Sequence, residues 1–188
     1  MKNAIKLFFT YFVLYFVSLA LFILFIRTPL LKNMDVLMYR GTALLTLASL
    51  LSALLMMLFK KVCKISWIEV KDAILLFVGC VALNMVLFTL IPVTVERSVS
   101  VFTLSYVDEL DDSFTKEEIE QVFWDKYVKE FGAFDKRFDE QLVTGSIKEN
   151  EDGTYELTER GEKIVKLFRW VADVFGTDKR LVYPLEGN

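Results

Sequence analysis

Three long apolar runs, Ile5 to Ile26, Thr42 to Phe59 and Ala73 to Ile91, fill the first half of this 188-residue chain. Each is about as long as the roughly 20 residues that, at 1.5 Å rise, carry an α-helix across the hydrocarbon core of a bilayer. Lys6, near the start of the first run, is the one Asp, Glu, Lys or Arg that falls within them. A chain built this way is expected to be an integral membrane protein. The ionised residues usual in proton relays and ion pathways are missing at membrane depth, which argues against a channel or transporter formed by this chain alone.

The two halves differ sharply in charge. Up to Arg97 there are ten basic residues against four acidic ones, and from Ser105 onward 12 against 21, so +6 and −9 give the net −3. The apolar half is basic and the remainder is acidic. Lys2 and Lys6 lie at the start of the first run as in a signal peptide, but that run is too long for an h-region and lacks a small-x-small site directly before Arg27, so we expect a retained helix. The two cysteines, Cys63 and Cys80, cannot frame a disulfide scaffold. Histidine is absent, which removes the commonest general base and metal ligand. No motif for a cofactor or a metal is present, and no catalytic residue is assigned.

In the second run Thr42, Thr46, Ser49 and Ala53 recur at spacings of four, three and four, which places small, weakly polar side chains on one helical face for close helix packing. In the third run Asn84 is the most polar residue at membrane depth and must find a partner or line a wet cavity. Pro92 is expected to break this helix, with Thr94 capping a new one whose apolar positions are Val95, Val99, Phe102, Tyr106 and Leu110.

Residues 94–188 carry the signals of a small domain. Thr115 to Glu118 is a capping box opening a helix with Ile119, Val122, Phe123 and Tyr127 on one side, ending near Gly132. Phe134, Phe138 and Leu142 mark a third helix, closed by Gly145. An extended piece at Ile147, an Asp152-Gly153 turn and a return strand with Tyr155 and Leu157 read as a β-hairpin. Thr158 then caps a long helix with Ile164, Leu167, Phe168, Val171, Val174 and Phe175 on one face, closed by Gly176. The expected fold is therefore mainly α: three transmembrane helices followed by a small α+β domain ordered helix, helix, helix, hairpin, helix.

The stretch Arg137-Phe138-Asp139-Glu140-Gln141-Leu142-Val143-Thr144-Gly145-Ser146-Ile147, followed by Asp152-Gly153-Thr154-Tyr155-Glu156-Leu157-Thr158-Glu159-Arg160-Gly161, resembles the recognition helix, wing and L-T-x-x-G passage of winged-helix proteins. The likeness covers roughly residues 95–176, and the three-span half is similar to that of bacterial inner-membrane proteins with such a tail. In a DNA reader of this type Phe134 to Thr144 would enter the major groove and Lys148 to Thr154 would form the wing. Here the wing tip is Glu149-Asn150-Glu151-Asp152 and the half carries −9, so phosphates would be repelled. Protein contact suits an acidic winged helix better than nucleic acid, since fold does not fix function.

Candidate sites are few. Arg97, with Thr94 and Ser98, is placed to meet a lipid or polyprenyl phosphate at the bilayer edge, although an interfacial anchor, or a helix N-terminus with Glu96 against the dipole, is the better explanation of a lone Arg. The aromatic series Phe123, Trp124, Tyr127, Phe131, Phe134 and Phe138 is expected to form the core of the small domain, with Trp124 off the stripe and free for a partner. Lys136 and Arg137 on the third helix, and Tyr183 in the last segment, complete the interaction candidates. That segment, Thr177 to Pro184, is expected to pack back on the domain or to dock on a partner.

Expected partners are membrane lipids and either another membrane protein or a second copy. The functional expectation is a non-catalytic accessory or scaffold subunit of a membrane complex, set in envelope polysaccharide or lipid-linked sugar assembly. Its rivals are a membrane-tethered transcription regulator and an enzyme acting on a membrane lipid. Six lysines against four basic residues favour an external C-terminus. Winged helices are mostly intracellular, which favours the cytoplasm, and we take the cytoplasmic side.

Overall fold

The structure is a computed structural model and describes residues 2–110 and 113–185. It divides into two compact units, 1–105 and 106–188, which are taken in turn.

The first unit contains α1 (Lys2–Arg27), α2 (Leu37–Val62) and α3 (Val70–Phe88). Counting the helical turns that prolong α3 to Arg97, all three helices are long and apolar enough to cross a membrane. The buried seam of α2 is Gly41, Leu44, Leu45, Ala48, Ser49, Ser52, Ala53 and Met56. Ser49 and Ala53 of the expected small-residue face lie on it. Thr42 and Thr46 are only half-buried, and their hydroxyls donate to the carbonyls of Met38 and Thr42. Where α2 meets α3, Gly41 has no room for a Cβ because the Phe88 ring fills that space. The same ring stands edge-on to Phe22 at 5.6 Å.

Two apolar clusters hold the bundle, one of Phe22, Leu44, Leu45, Ala48 and Phe88, the other of Ala53, Met56, Ile68, Ala73, Leu76 and Cys80. Between them along the helices lies a layer of fully buried polar side chains, Ser18, Ser49, Ser52 and Asn84. Away from the seam the helices present Phe8, Phe9, Phe12, Phe16, Leu54, Leu58, Ile74, Leu75 and Val78 outward, which suits a lipid surround.

Pro92 does not end the third helix. The backbone widens into a π-helical turn, Thr89–Val93, and continues as α4 (Thr94–Arg97). Proline lacks an N–H and its ring crowds the carbonyl four residues back, and a wider turn relieves both without breaking the chain direction. The break falls instead at Ser98, whose backbone is extended (φ −91°, ψ 118°). Thr94 is consequently inside a helix, and Ser98 does the capping, its Oγ accepting the Val101 N–H at 3.2 Å ahead of α5 (Val99–Asp108).

In the second unit, α6 (Lys116–Val122) opens with the capping box: the Thr115 hydroxyl accepts the Glu118 N–H and the Glu118 carboxylate accepts the Thr115 N–H. It runs into a π-helix, Phe123–Glu130. Then come α7 (Ala133–Val143), β1 (Ile147–Glu149), β2 (Tyr155–Leu157) and α8 (Glu159–Phe175), with a 3-10 turn at Lys179–Leu181. The hairpin is antiparallel, pairing Ile147 with Leu157 and Glu149 with Tyr155. The helix, hairpin, helix order expected from the sequence is thus present.

Candidate functional site

The hairpin and α8 are locked together by one residue, Thr158. Its N–H donates to the Ser146 carbonyl at 3.0 Å, its hydroxyl donates to the Gly145 carbonyl at 2.7 Å, and the same oxygen accepts the Gly161 N–H at 3.1 Å. Gly161 is needed for close approach, since a Cβ there would overlap the Ser146 carbonyl oxygen and the Leu157 side chain. The Leu-Thr-x-x-Gly spacing is therefore a docking device that fixes how α8 leaves the sheet. At the hairpin tip Asp152 accepts from the hydroxyl and then the backbone N–H of Thr154, and these bonds hold its carboxyl below the ordinary range. Lys148 likewise holds Glu156 low from across the two strands.

Having been fixed in this way, α8 presents an apolar face that the described residues of its own unit cover only in part. Gly161 and Ala172 are buried and Ile164, Val165 and Val171 are half-buried. Leu167, Phe168, Trp170, Val174 and Phe175 are each more than half exposed. Ala172 is the one buried apolar side chain among the described residues of this unit. The aromatic series expected to be its core is not one: Phe123, Tyr127 and Phe138 are half-buried, while Trp124, Phe131 and Phe134 lie open. The rings pack mainly on one another, Phe138 edge-on to Tyr155 at 4.8 Å and Phe123 stacked on Tyr127 at 5.3 Å. Short helices joined by a small hairpin cannot close over so many rings, so much of the apolar surface stays outside.

The individual candidates fall into three groups. Trp124 is exposed and touches Phe123, as a partner-contact residue requires. Arg137 is engaged within the chain, its guanidinium donating to both oxygens of Glu140 at 2.7 and 2.8 Å, and Glu140 is buried. Lys136, beside it on α7, is exposed. Tyr183 is engaged as well: the Arg169 guanidinium sits 4.5 Å over its ring and donates to the Val182 carbonyl. With the Lys179 to Asp173 ion pair at 2.7 Å, these contacts fold the last segment back on α8.

At the end of the third long helix, Arg97, Thr94 and Ser98 do not converge on one point. Thr94 spends its proton on the Thr89 carbonyl, Ser98 caps α5, and Arg97 lies 3.8 Å from the Glu96 carboxylate. Asn84 donates to the Ser18 hydroxyl at 3.0 Å, while its Oδ1 has no hydrogen-bond partner among the described residues.

Two polar devices in the first unit were not foreseen. Asp72 is buried at the start of α3, accepting the Glu69 N–H at 2.7 Å and facing the Tyr11 hydroxyl at 3.4 Å. Arg40 caps α1, donating to the carbonyls of Ile26, Thr28 and Leu30. The helix-start spacing of Glu69 and Asp72 carried the first signal; nothing local in the sequence carried the second. Among the described residues no group of three or more His, Cys, Asp or Glu is placed to hold a metal ion.

Fold and site together define a class: three helices of membrane-crossing length and apolarity, followed by a small helical module with a two-stranded hairpin. No protein-family model, curated protein or solved structure matches the chain.

Proposed function

We propose that this chain is a non-catalytic interaction subunit of a membrane complex, its three apolar helices holding a winged-helix-like module at the bilayer so that the module can dock on protein. The observation that carries this is the open apolar face of α8, with Trp124, Phe131 and Phe134 exposed elsewhere in the same unit. Contiguous exposed apolar surface of this kind marks a protein contact or a membrane contact. The net −9 of the soluble half disfavours anionic headgroups and nucleic acid alike. The module occupies the cytoplasmic side of a bacterial inner membrane, as the winged-helix likeness suggests, and envelope polysaccharide or lipid-linked sugar assembly is the setting we put forward.

Photo-reactive side chains placed singly at Trp124 and Phe168 test this in native membranes. Discrete protein adducts at both positions are the expected result. Adducts to lipid or DNA, or none at all, would overturn the proposal.

A further inference from the structure

Deepening that proposal, and resting on it, we infer that the partner of the α8 face is a second copy of this chain, with the two α8 helices packed in parallel. The apolar positions follow a heptad. Ile164 and Val171 take its a positions, Leu167 and Val174 its d positions, and Phe168 and Phe175 the flanking e positions. β-branched residues at a with Leu at d are the choice that favours two parallel strands; both a residues here are β-branched, and of the two d residues Leu167 fits while Val174 departs. Gly161, on which α8 meets its own hairpin, takes the e position one heptad ahead of Phe168, and the buried Ala172 flanks the stripe, so the unit packs on one edge of it and leaves the d positions Leu167 and Val174 open.

The area agrees. Leu167, Phe168, Trp170, Val174 and Phe175, each more than half exposed, offer on the order of 600 Å² per copy. A standard interface takes about 800 Å² per partner. Ile164 and Val171 at the seam supply part of the difference. Tethering supplies the rest: two copies in one bilayer meet at an effective concentration that can raise avidity by about 10²–10⁴ over free modules. Two heptads alone are too short to hold in water, which explains why the face belongs to an anchored chain.

Charge makes the inference specific. Two acidic modules repel, and the repulsion is screened within about 8 Å at physiological salt. Self-pairing therefore strengthens as salt rises, whereas docking on a basic partner weakens.

The test uses the full chain in its native membrane with Cys63→Ser and Cys80→Ser, adding one cysteine at a time and oxidising gently. In a parallel pair a seam residue faces its own counterpart, so Val171→Cys and Val174→Cys should give covalent dimers, whereas Lys166→Cys and Asp173→Cys on the outer side should not. The dimer yield should rise with salt and fall at least tenfold when Phe168→Glu is added, and proteoliposomes holding this chain alone should reproduce it. Equal yields at seam and outer positions would show random collision and overturn the inference. Absence of dimers while Phe168→Cys is protected from an impermeant maleimide in opened native membranes but labelled in nanodiscs holding a single copy would overturn self-pairing and leave another protein as partner. Absence of dimers with rapid maleimide labelling would overturn both this inference and the proposal beneath it.

Discussion

Asn84 offers the sharpest quantitative prediction, because its two side-chain ends have opposite effects on stability. Its Nδ2 donates to Ser18 at 3.0 Å, and interhelical bonds of this kind in membranes contribute on average about 0.6 kcal/mol and at most about 1.7. Its Oδ1 is buried without a partner among the described residues, a loss of about 1–3 kcal/mol. Asn84→Leu removes both terms, and keeps the branched γ-carbon at a site flanked by the Phe22 and Ala53 clusters. The expected outcome is no loss of stability, or a gain of about 1 kcal/mol. Ser18→Ala takes away that acceptor together with the 3.4 Å contact to the Ser49 hydroxyl, leaving the whole Asn84 amide unsatisfied among the described residues, and should cost about 1–2 kcal/mol. Reversible unfolding in mixed micelles, followed as denaturing detergent is titrated in, measures both. Refutation would be the reverse order, with Asn84→Leu losing more than about 2 kcal/mol and Ser18→Ala neutral, since Oδ1 would then be making a bond of its own.

Gly161→Ala should destabilise the second unit by about 1 kcal/mol net: the helix-propensity gain of about 1 is outweighed by an overpacking cost of about 1–3 from overlap with the Ser146 carbonyl. Thermal unfolding read from tryptophan fluorescence checks it, and a higher Tm would contradict the contact. Arg40→Met should leave the carbonyls of Ile26, in the last turn of α1, and of Thr28, just past it, without their Arg40 donor, so amide exchange at the end of α1 rises while that of α3 does not. The carboxyls of Glu118, Asp152 and Glu156 are all held below their ordinary range, chiefly by hydrogen bonds from the Thr115 backbone, Thr154 and Lys148 respectively. A lowered folded-state pKa gives stability that is complete above the unfolded value of about 4 and is lost as pH falls through the lower folded one. An acid titration of the second unit should therefore be flat from pH 7 to about 5 and fall below about 4; loss beginning near pH 6 would contradict it.

Where a residue's neighbours in sequence decide its role, the sequence was readable. The three apolar runs are the three long helices, Thr115 and Thr158 cap where their spacing says, and the Asp152-Gly153 turn joins β1 to β2. Burial was not readable. The periodicity of α8 and the aromatic series shows which side chains share a face, but not whether anything packs against that face, because burial depends on how many other elements are available to cover it. Pro92 was misread for a related reason: the residue forbids one hydrogen bond, and the chain answered with a π turn and moved the break to Ser98. Arg40 reaches 14 residues back to Ile26, a separation at which local patterns say nothing. Of the interaction candidates, Trp124 could be placed by its offset from the apolar stripe. The commitments of Arg137 to Glu140 and of Tyr183 to Arg169 needed the fold.

Whether the apolar face of α8 is covered by protein in the membrane decides between an interaction subunit and a chain that docks on nothing. The direct measurement is the rate at which an impermeant maleimide labels Phe168→Cys, in the Cys63→Ser, Cys80→Ser background, in opened native membranes and in nanodiscs that each hold a single copy. Protection in the native membrane together with rapid labelling in the single-copy discs is the predicted result. Equally rapid labelling in both would mean that nothing docks there, and equal protection in both would mean that the chain or its lipid covers the face; either would contradict the account.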